Sequence, residues 1–457
     1  MREWPTSFAE TMKAKLGPEW EAFAAAHQEP PPVSIRLNPR KHALISTQGQ
    51  VPWSQYGRYL QRRPSFTFDP TFHAGTYYVQ EASSMFLEQA FLQIGGSADN
   101  LTILDLCAAP GGKSTHLLSL MSSSSMLVSN EVIGARASIL SENIQKWGQN
   151  NVVVTSSDPQ QFSSLQSVFD IAVVDAPCSG EGLFRKDPDA MDSWSPENVV
   201  LCSRRQRRIL EDVWPAIKRD GYLIYATCTY NEQENEENLS WLLGREDAEG
   251  VTINIRPEWN VTAVDRPGLQ GYRFFPHKVQ GEGFFMAVIR KTSGSLNTGM
   301  KISAELPRIA TPVQDEITKW IDAPVRFFAH KDELRAVPLR SEKLLNILTK
   351  HLYIVNAGTL IGTAKHNKIV PAHAAALSVN LNQSLWPTLD ADEETAIRYL
   401  RKEPIDTTGM QRGFTLVRYQ GLGLGWINVL DTRANNLYPA EWRIRAQSRD
   451  EEGKTEN

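Results

Sequence analysis

Two of the four cysteines follow apolar runs that are typical of buried strands. Cys178 lies in Asp175–Gly182, DAPCSGEG, and Cys228 lies in Ala226–Tyr230, ATCTY. A deprotonated thiol is a good nucleophile. Because ligands of open α/β sheets bind at the carboxyl ends of the strands, we expect both thiols at the ligand-binding edge of one sheet.

A glycine turn precedes both thiols. Leu101–His116, LTILDLCAAPGGKSTH, predicts a strand, a Pro-Gly-Gly turn and the start of a helix. Such a turn brings backbone N–H groups and the positive end of a helix dipole close to a ligand. The phosphate-binding loop G-x-x-x-x-G-K-[ST] would need glycine at Cys107, and the dinucleotide fingerprint G-x-G-x-x-G is absent. Two interpretations of the turn remain: a site for S-adenosylmethionine, and an ordinary strand-turn-helix connection.

The elements that would position these residues alternate between strands and helices from Leu101 to Ile289, which predicts a parallel sheet with helices on both faces. The predicted strands are Leu101–Leu104, Met126–Asn130, Asn151–Thr155, Phe169–Val174 and Gly221–Ala226. Glu131 follows the second strand, where a carboxylate can bind the ribose hydroxyls of a nucleoside cofactor. Asp158 follows the third strand and is placed to bind the adenine amino group.

A methyl donor beside two thiols suits methylation of a pyrimidine at carbon 5. That carbon becomes nucleophilic only when a thiolate has added to carbon 6 of the ring. A base then removes the proton from carbon 5, and the thiol is eliminated. One thiol is required for the addition, and a second group assists the release.

The chain resembles the RNA cytosine-5 methyltransferases of the Nol1/Nop2/Sun family. The resemblance rests on Asp105–Ser114 (DLCAAPGGKS), Asp175–Gly182 and Ala226–Tyr230 in that order, and it covers residues 76–292. The best match is the bacterial RsmF-like branch, which methylates 16S ribosomal RNA. The resemblance therefore implies RNA, most of all ribosomal RNA, as substrate and S-adenosyl-L-methionine as methyl donor.

The resemblance also implies roles for single residues. Cys228 would be the nucleophile, and Cys178 would promote release of the base. Asp175 would hydrogen-bond the cytosine edge, and Lys113 would lie near the catalytic centre. The residues implied for S-adenosyl-L-methionine are Cys107, Ala108, Ala109, Pro110, Gly111, Gly112, Lys113, Glu131, Asp158 and Asp175. DNA cytosine-5 methyltransferases use the Pro-Cys cysteine instead, so only the Thr-Cys element favours Cys228 over Cys178.

Composition sets limits on the other function classes. The 457 residues carry a net charge of −4, so nucleic-acid binding must come from local basic patches. The cysteines form no C-x-x-C pair and no cluster with histidine, which argues against a metal site and favours a reducing cytoplasm. No run approaches the length of a membrane span. We expect a cytoplasmic protein, most simply a monomer.

The predicted fold class is α/β: a Rossmann-like methyltransferase domain between a small N-terminal domain and a C-terminal α+β region that resembles a PUA-like RNA-binding domain. The predicted boundaries are 1–75 for an N-terminal RNA-binding or leader domain, 76–292 for the methyltransferase domain, 293–301 for a linker, 302–385 for an intermediate domain, 386–447 for the PUA-like domain and 448–457 for a disordered tail.

Several alternatives stay open at this level. The basic residues Arg36, Arg40 and Lys41 suit either a solvated edge or an RNA contact. The hexamer SRRQRR, residues 203–208, favours a helix face paired with Glu211 and Asp212 over an RNA contact. The substrate could be transfer RNA, DNA or an RNA amine, and a catalytically idle ribosome-assembly factor is the alternative from another class.

Overall fold

The computed structural model describes residues 4–296, 306–365 and 368–446. The predicted linker 293–301 lies partly outside these residues, and the predicted tail 448–457 lies entirely outside them. The α-helices are α1 (Thr6–Leu16), α2 (Trp20–Ala26), α3 (Pro70–His73), α4 (Leu87–Gln93), α5 (Gly112–Leu120), α6 (Gly134–Trp147), α7 (Pro159–Phe162), α8 (Pro188–Asp192), α9 (Pro196–Val213), α10 (Glu236–Leu243), α11 (Thr311–Thr318), α12 (Glu342–His351), α13 (His373–Leu377) and α14 (Glu393–Leu400). Short 3-10 helices span Gly17–Glu19, Phe66–Phe68, Ser83–Phe86, Glu181–Leu183, Trp214–Ala216, Pro257–Trp259, Leu339–Ser341 and Gln383–Leu385.

The β-strands alternate with these helices through the middle of the chain. They are β1 (Val33–Leu37), β2 (Gly49–Gln50), β3 (Gly57–Leu60), β4 (Tyr77–Val79), β5 (Thr102–Asp105), β6 (Met126–Asn130), β7 (Val152–Thr155), β8 (Phe169–Asp175), β9 (Ile217–Thr227), β10 (Ala248–Val251), β11 (Thr262–Arg266), β12 (Leu269–Phe274), β13 (Phe284–Lys291), β14 (Val325–His330), β15 (Glu333–Pro338), β16 (Ile354–Ala357), β17 (Thr359–Lys365), β18 (Lys368–Pro371), β19 (Thr388–Ala391), β20 (Gly413–Tyr419), β21 (Leu422–Val429) and β22 (Ala434–Asn436).

The central sheet has ten strands among the described residues, in the order β11-β12-β13-β9-β8-β5-β6-β7-β16, with β10 paired to β13. The five strands from β7 through β6, β5 and β8 to β9 are parallel, and their neighbours on both sides run antiparallel. Strands β6 and β7 are buried along their whole length, because helices cover both faces of a parallel sheet. Two hydrophobic clusters fill these faces. The predicted Rossmann-like fold is confirmed.

The N-terminal region packs against this sheet. Helices α1 and α2 bury an aromatic cluster that includes Phe8 and Phe23, and it continues to Phe184 and Tyr230 of the central domain. A small antiparallel sheet follows in the order β2-β3-β1-β4. The cluster joins the N-terminal region to the segments that carry the predicted catalytic cysteines.

Two of the basic residues weighed as RNA contacts are buried instead. Arg36 is completely buried and donates to Gln80 Oε1 at 2.8 Å and to Ser119 Oγ at 3.0 Å. Lys41 is 8% exposed, and its ammonium donates to the carbonyls of Ala74 and Lys146. Neither a solvated edge nor an RNA contact describes these two side chains; they cross-link the N-terminal sheet to α5 and α6.

The C-terminal half forms two further sheets, β14-β15-β17-β18 and β19-β20-β21-β22. Strand β16, which lies in the chain between β15 and β17, joins the central sheet instead, because it pairs with β7 at the edge of that sheet. Helix α14 has Asp392 as its N-cap, whose side chain accepts from the Thr395 amide. Within the described residues no helix is long and apolar enough to span a bilayer.

Candidate active site

The two thiols lie side by side at the carboxyl edge of the central sheet. Cys178 follows β8 and Cys228 follows β9, and these strands are parallel neighbours. Their Sγ atoms are 3.1 Å apart, and both side chains are half-buried. The hydrogen bond with Cys228 and burial raise the pKa of the Cys178 thiol well above its usual value. Cys178 therefore stays protonated at neutral pH and can donate a proton.

An ion pair lies beside the thiols. Asp175 is the last residue of β8, and its Oδ2 is 2.7 Å from Lys113 Nζ, near the start of α5. Burial by itself would lower the pKa of Lys113, but Asp175 and Asp105 outweigh it and raise that pKa. The Asp175 side chain is 36% exposed and that of Lys113 is 11% exposed. The carboxylate can therefore reach a substrate, while the ammonium stays charged behind it.

A cleft of about 450 Å³ opens over this edge of the sheet. Both predicted catalytic thiols line it, together with Asp175. The predicted cofactor residues that line it are Cys107, Ala109, Glu131, Asp158 and Asp175. The volume falls within the range of small-molecule sites. The two thiols and these predicted cofactor residues therefore line one cavity.

The remaining residues predicted for the cofactor do not line the cleft. They are Ala108, Pro110, Gly111, Gly112 and Lys113, which belong to the turn between β5 and α5 and to the first turn of α5. Gly111 is the N-cap of α5 with φ of +116°, a conformation that residues with a Cβ adopt at a cost. The N–H of Ala108 donates to the Asn130 carbonyl at 2.8 Å. The glycine turn therefore ties β5 to β6 and orients α5.

The acidic residues of the cleft fit a nucleoside. Glu131 is only 4% exposed; its Oε1 accepts from the Ile133 amide at 3.0 Å, and its Oε2 is 3.5 Å from Arg136. Asp158 caps α7 by accepting from the Gln160 amide and is 3.6 Å from Arg208. Carboxylates held in this way can accept hydrogen bonds from ribose hydroxyls and from an amino group. This donor and acceptor set fits S-adenosyl-L-methionine.

The other two cysteines differ from the catalytic pair. Cys202 is buried on α9, as is common for a cysteine whose role is packing. Cys107 follows β5, lines the cleft and is half-buried, and burial raises the pKa of its thiol. Neither side chain is positioned as a thiolate nucleophile.

Sequence reasoning missed two buried carboxylates around the thiols. Glu234 is completely buried and accepts from the Ser179 amide, from Gln206 Nε2 at 2.7 Å and from Asn231 Nδ2 at 2.6 Å. Glu181 is 2% exposed and accepts from the Tyr230 amide at 2.9 Å. Both lie within or next to the cysteine motifs, and only this proximity in sequence could have indicated them.

The acidic run Asn231–Asn238, NEQENEEN, follows Cys228, and its carboxylates favour a helix N-terminus with Thr229 or Asn231 as the cap. The N-cap of α10 is Asn235 instead, without a side-chain cap bond. The Asn235 amide reaches back to the Thr229 carbonyl, and Thr227 Oγ1 donates to its Oδ1 at 2.6 Å. Within this run Glu234, Asn235 and Asn238 are buried and have a structural role, whereas Gln233 and Glu237 are exposed.

The basic hexamer on α9 is arranged differently from the prediction. Arg207 donates to Asn238 Oδ1 at 2.7 Å, and Arg208 lies near Asp158 across the cleft. Among the ion pairs of the described residues, none joins either arginine to Glu211 or Asp212. Arg205 is exposed and lines the cleft, so positive charge faces the substrate side of the site.

Family models match three successive parts of the chain. The model of 16S rRNA methyltransferase RsmB/F matches residues 94–290, the N-terminal domain model of 16S rRNA methyltransferase RsmF matches 4–82, and the RsmF PUA domain model matches 387–444. Ribosomal RNA small subunit methyltransferase F of Aliivibrio salmonicida is 36% identical over 94% of this chain and 95% of its own length. The chain belongs to the RsmF family of 16S rRNA methyltransferases.

Other relatives agree with this membership. Ribosomal RNA small subunit methyltransferase F of Klebsiella pneumoniae is 28% identical over 96% of both chains. Among solved structures, a methyltransferase homolog protein from Pyrococcus horikoshii has a TM-score of 0.51 at 28% identity, covering 60% of this chain and 91% of its own. NSun6 from the same organism, solved with SFG, has a TM-score of 0.54 at 19% identity and covers 64% of this chain and 99% of its own. The predicted family, the RNA methyltransferase class and the S-adenosyl-L-methionine methyl donor are confirmed for this RsmF-family chain.

Proposed function

We propose that the chain methylates carbon 5 of a cytosine in small-subunit ribosomal RNA, with Cys228 as the nucleophile and Cys178 as the group that assists release. The observation that carries the proposal is the pair of sulfurs 3.1 Å apart in the cleft that Asp175 and the predicted cofactor residues line. Methylation of an RNA amine or oxygen would need neither thiol. Family membership supports ribosomal RNA as the substrate class.

Each side chain has a part in this proposal. Cys228 Sγ adds to carbon 6 of the cytosine, and Asp175 accepts a hydrogen bond from the exocyclic amine and orients the ring. The Lys113 ammonium holds Asp175 in place and supplies positive charge beside the sulfur. When bound, S-adenosyl-L-methionine supplies an electrophilic methyl group. A base takes the proton from carbon 5, the electron pair of that bond forms the C5–C6 double bond, and the bond between carbon 6 and the Cys228 sulfur breaks. Cys178 is protonated and can give its proton to the departing Cys228 sulfur.

The cleft also supports the cofactor assignment. Glu131 would bind the ribose hydroxyls, Asp158 the adenine amino group, and Cys107 and Ala109 would border the nucleoside. The turn from Pro110 to Gly112 does not line the cleft and would act by orienting α5. We propose that the chain acts on RNA in the cytoplasm and does so as a monomer.

Covalent trapping tests the proposal. Cys178→Ala, Cys228→Ala and the control Cys202→Ala would be mixed separately with total RNA and S-adenosyl-L-methionine, and denatured samples would be examined for a protein–RNA adduct. We expect the Cys178 variant to accumulate an adduct, because release is slowed, and the Cys228 variant to form none. The buried Cys202 lies outside the cleft, so its variant should behave as the unsubstituted protein.

The other outcomes are equally informative. An adduct in the Cys228 variant alone would make Cys178 the nucleophile. Methylation without any adduct in either variant would refute the carbon 5 mechanism. Sequencing of the trapped RNA tests the substrate, since an adduct with transfer RNA would overturn the ribosomal assignment.

A further inference from the structure

The two thiols belong to separate loops, and contacts between these loops set the distance between the sulfurs. Cys178 lies between β8 and the 3-10 helix Glu181–Leu183, and Cys228 lies between β9 and α10. The parallel strands β8 and β9 are in register as far as Asp175 and Ala226. Beyond those residues the sheet no longer fixes the two chains relative to each other, so other groups must do so.

Two carboxylates cross between the loops in opposite directions. Glu234, from the segment after Cys228, accepts from the backbone amide of Ser179, the residue after Cys178, at 3.0 Å. Glu181, from the Cys178 loop, accepts from the amide of Tyr230, two residues after Cys228, at 2.9 Å. Each loop thus places an acid against the backbone of the other. In addition, Gly182 N donates to the Cys228 carbonyl at 2.8 Å.

The two carboxylates also share a neighbour. Asn231 Nδ2 lies 2.6 Å from Glu234 Oε1 and 3.1 Å from Glu181 Oε1. Gln206 of α9 donates to Glu234 at 2.7 Å and to the Pro177 carbonyl at 2.9 Å. The network therefore contacts the residue on each side of Cys178, while α9 supports it from below.

Burying a carboxylate is costly unless hydrogen bonds compensate for the lost water, and Glu234 has such donors. Burial raises the pKa of Glu234, against the effect of its hydrogen bonds. A carboxylate whose donors are provided by fixed backbone and amide groups keeps a defined position. Glu234 is also among the groups that raise the pKa of Cys178, so it favours the protonated thiol.

We propose that Glu234, together with Glu181, is a positioning residue that fixes the separation of the Cys178 and Cys228 sulfurs. Neither carboxylate lines the cleft, so they act through the cysteine loops and not by contact with substrate. The expected effect of this positioning on methylation rests on the proposed function. The geometric content of the proposal, the thiol separation, is independent of RNA.

The geometric test measures how readily the two thiols pair in the absence of RNA. The purified protein is equilibrated with reduced and oxidised glutathione, which exchanges with the two thiols to form a Cys178–Cys228 disulfide and two molecules of reduced glutathione. Mass spectrometry of the quenched protein gives the fraction of the protein that carries the disulfide. The glutathione ratio at which half of the protein carries it gives the effective concentration of one thiol at the other.

We expect Glu234→Gln to lower this effective concentration about tenfold or more, since loosening well-oriented groups by about 1 Å has effects of this size. The control Glu237→Gln removes an exposed carboxylate from the first turn of α10 and should leave it unchanged. Repeating the titration at several pH values distinguishes a change in the distance between the two sulfurs from a change in thiol pKa. If Glu234→Gln does not fold, Glu181→Gln carries the same expectation.

Steady-state methylation then tests the catalytic meaning. Glu234→Gln should lower kcat about tenfold or more, with the KM for S-adenosyl-L-methionine unchanged because no cleft residue is altered. An unchanged effective concentration in both glutamate variants would overturn the positioning role. If the chain proved not to form 5-methylcytosine, the glutathione titration would still decide the geometric proposal, so the two failures are distinguishable.

Discussion

Asp105 provides the sharpest test of the electrostatics beneath the site. It ends β5 directly before the cofactor segment and is completely buried. Ser114 Oγ donates to its Oδ2 at 2.6 Å, but its buried Oδ1 has no partner among the described residues. Burial raises the pKa of Asp105 from 3.8 to about 7. Replacing it with asparagine keeps the shape and removes the ionisation.

The size of the effect follows from linkage. Between pH 3.8 and about 7 the folded protein holds a proton on Asp105 that the unfolded chain has lost. The stability that this proton represents is complete below pH 3.8 and is lost as the pH rises to about 7. Each pH unit is worth roughly 1.4 kcal/mol. From pH 5 to pH 8 the stability of Asp105→Asn relative to the unsubstituted protein should therefore increase by about 3 kcal/mol.

Urea unfolding of both proteins at pH 5 and pH 8 measures this difference. Ser114→Ala serves as a second probe, because losing its hydrogen bond should move the pKa of Asp105 further up and extend the pH dependence above pH 7. Parallel stability profiles for Asp105→Asn and the unsubstituted protein would refute the reasoning, since they would mean that Asp105 ionises alike in the folded and unfolded chain.

Two other predictions concern the N-terminal region and the cofactor. Arg36→Met should lower the free energy of unfolding by about 3 kcal/mol, because it leaves buried acceptors without a donor, whereas the exposed Arg40→Met should not. Equal stability of the two variants in urea unfolding would contradict the structural role. A smaller salt dependence of RNA binding in Arg36→Met would show instead that Arg36 contacts RNA. Glu131→Gln should weaken S-adenosyl-L-methionine binding about tenfold or more in calorimetry, since a carboxylate is the stronger acceptor for ribose hydroxyls. Undiminished affinity would remove Glu131 from the cofactor site.

Local pattern was sufficient for most of the central domain. The strands predicted at Leu101–Leu104 and Asn151–Thr155 are β5 and β7, displaced by one residue at most. Apolar runs between glycine turns specify such strands because both faces of a parallel sheet are buried. Local pattern is less accurate from Phe8 to Phe23: Phe8, Met12 and Leu16 have loosely helical spacing, but Gly17 and Pro18 interrupt the helix and separate α1 from α2.

The site was predicted in outline for a related reason. Cys178 and Cys228 follow strands of one parallel sheet, and the carboxyl ends of such strands meet at one edge. Asp175 and Lys113 could be chosen through the resemblance, but not their 2.7 Å contact. The roles of these residues and the boundaries between the domains remain predictions.

The family, the order of the strands along the chain and the edge at which the thiols occur could be inferred from the sequence, because they follow from local patterns and motif order. Which charges face water became apparent only from the folded chain. Arg36 and Lys41 look like surface residues in the sequence, yet α5 and α6 supply carbonyl and hydroxyl acceptors that satisfy them in the interior. Glu234 lies in a strongly acidic run, yet Ser179, more than fifty residues earlier, provides a donor for it in the interior. Whether a charged group is buried depends on partners far away in the chain, and local sequence does not reveal them.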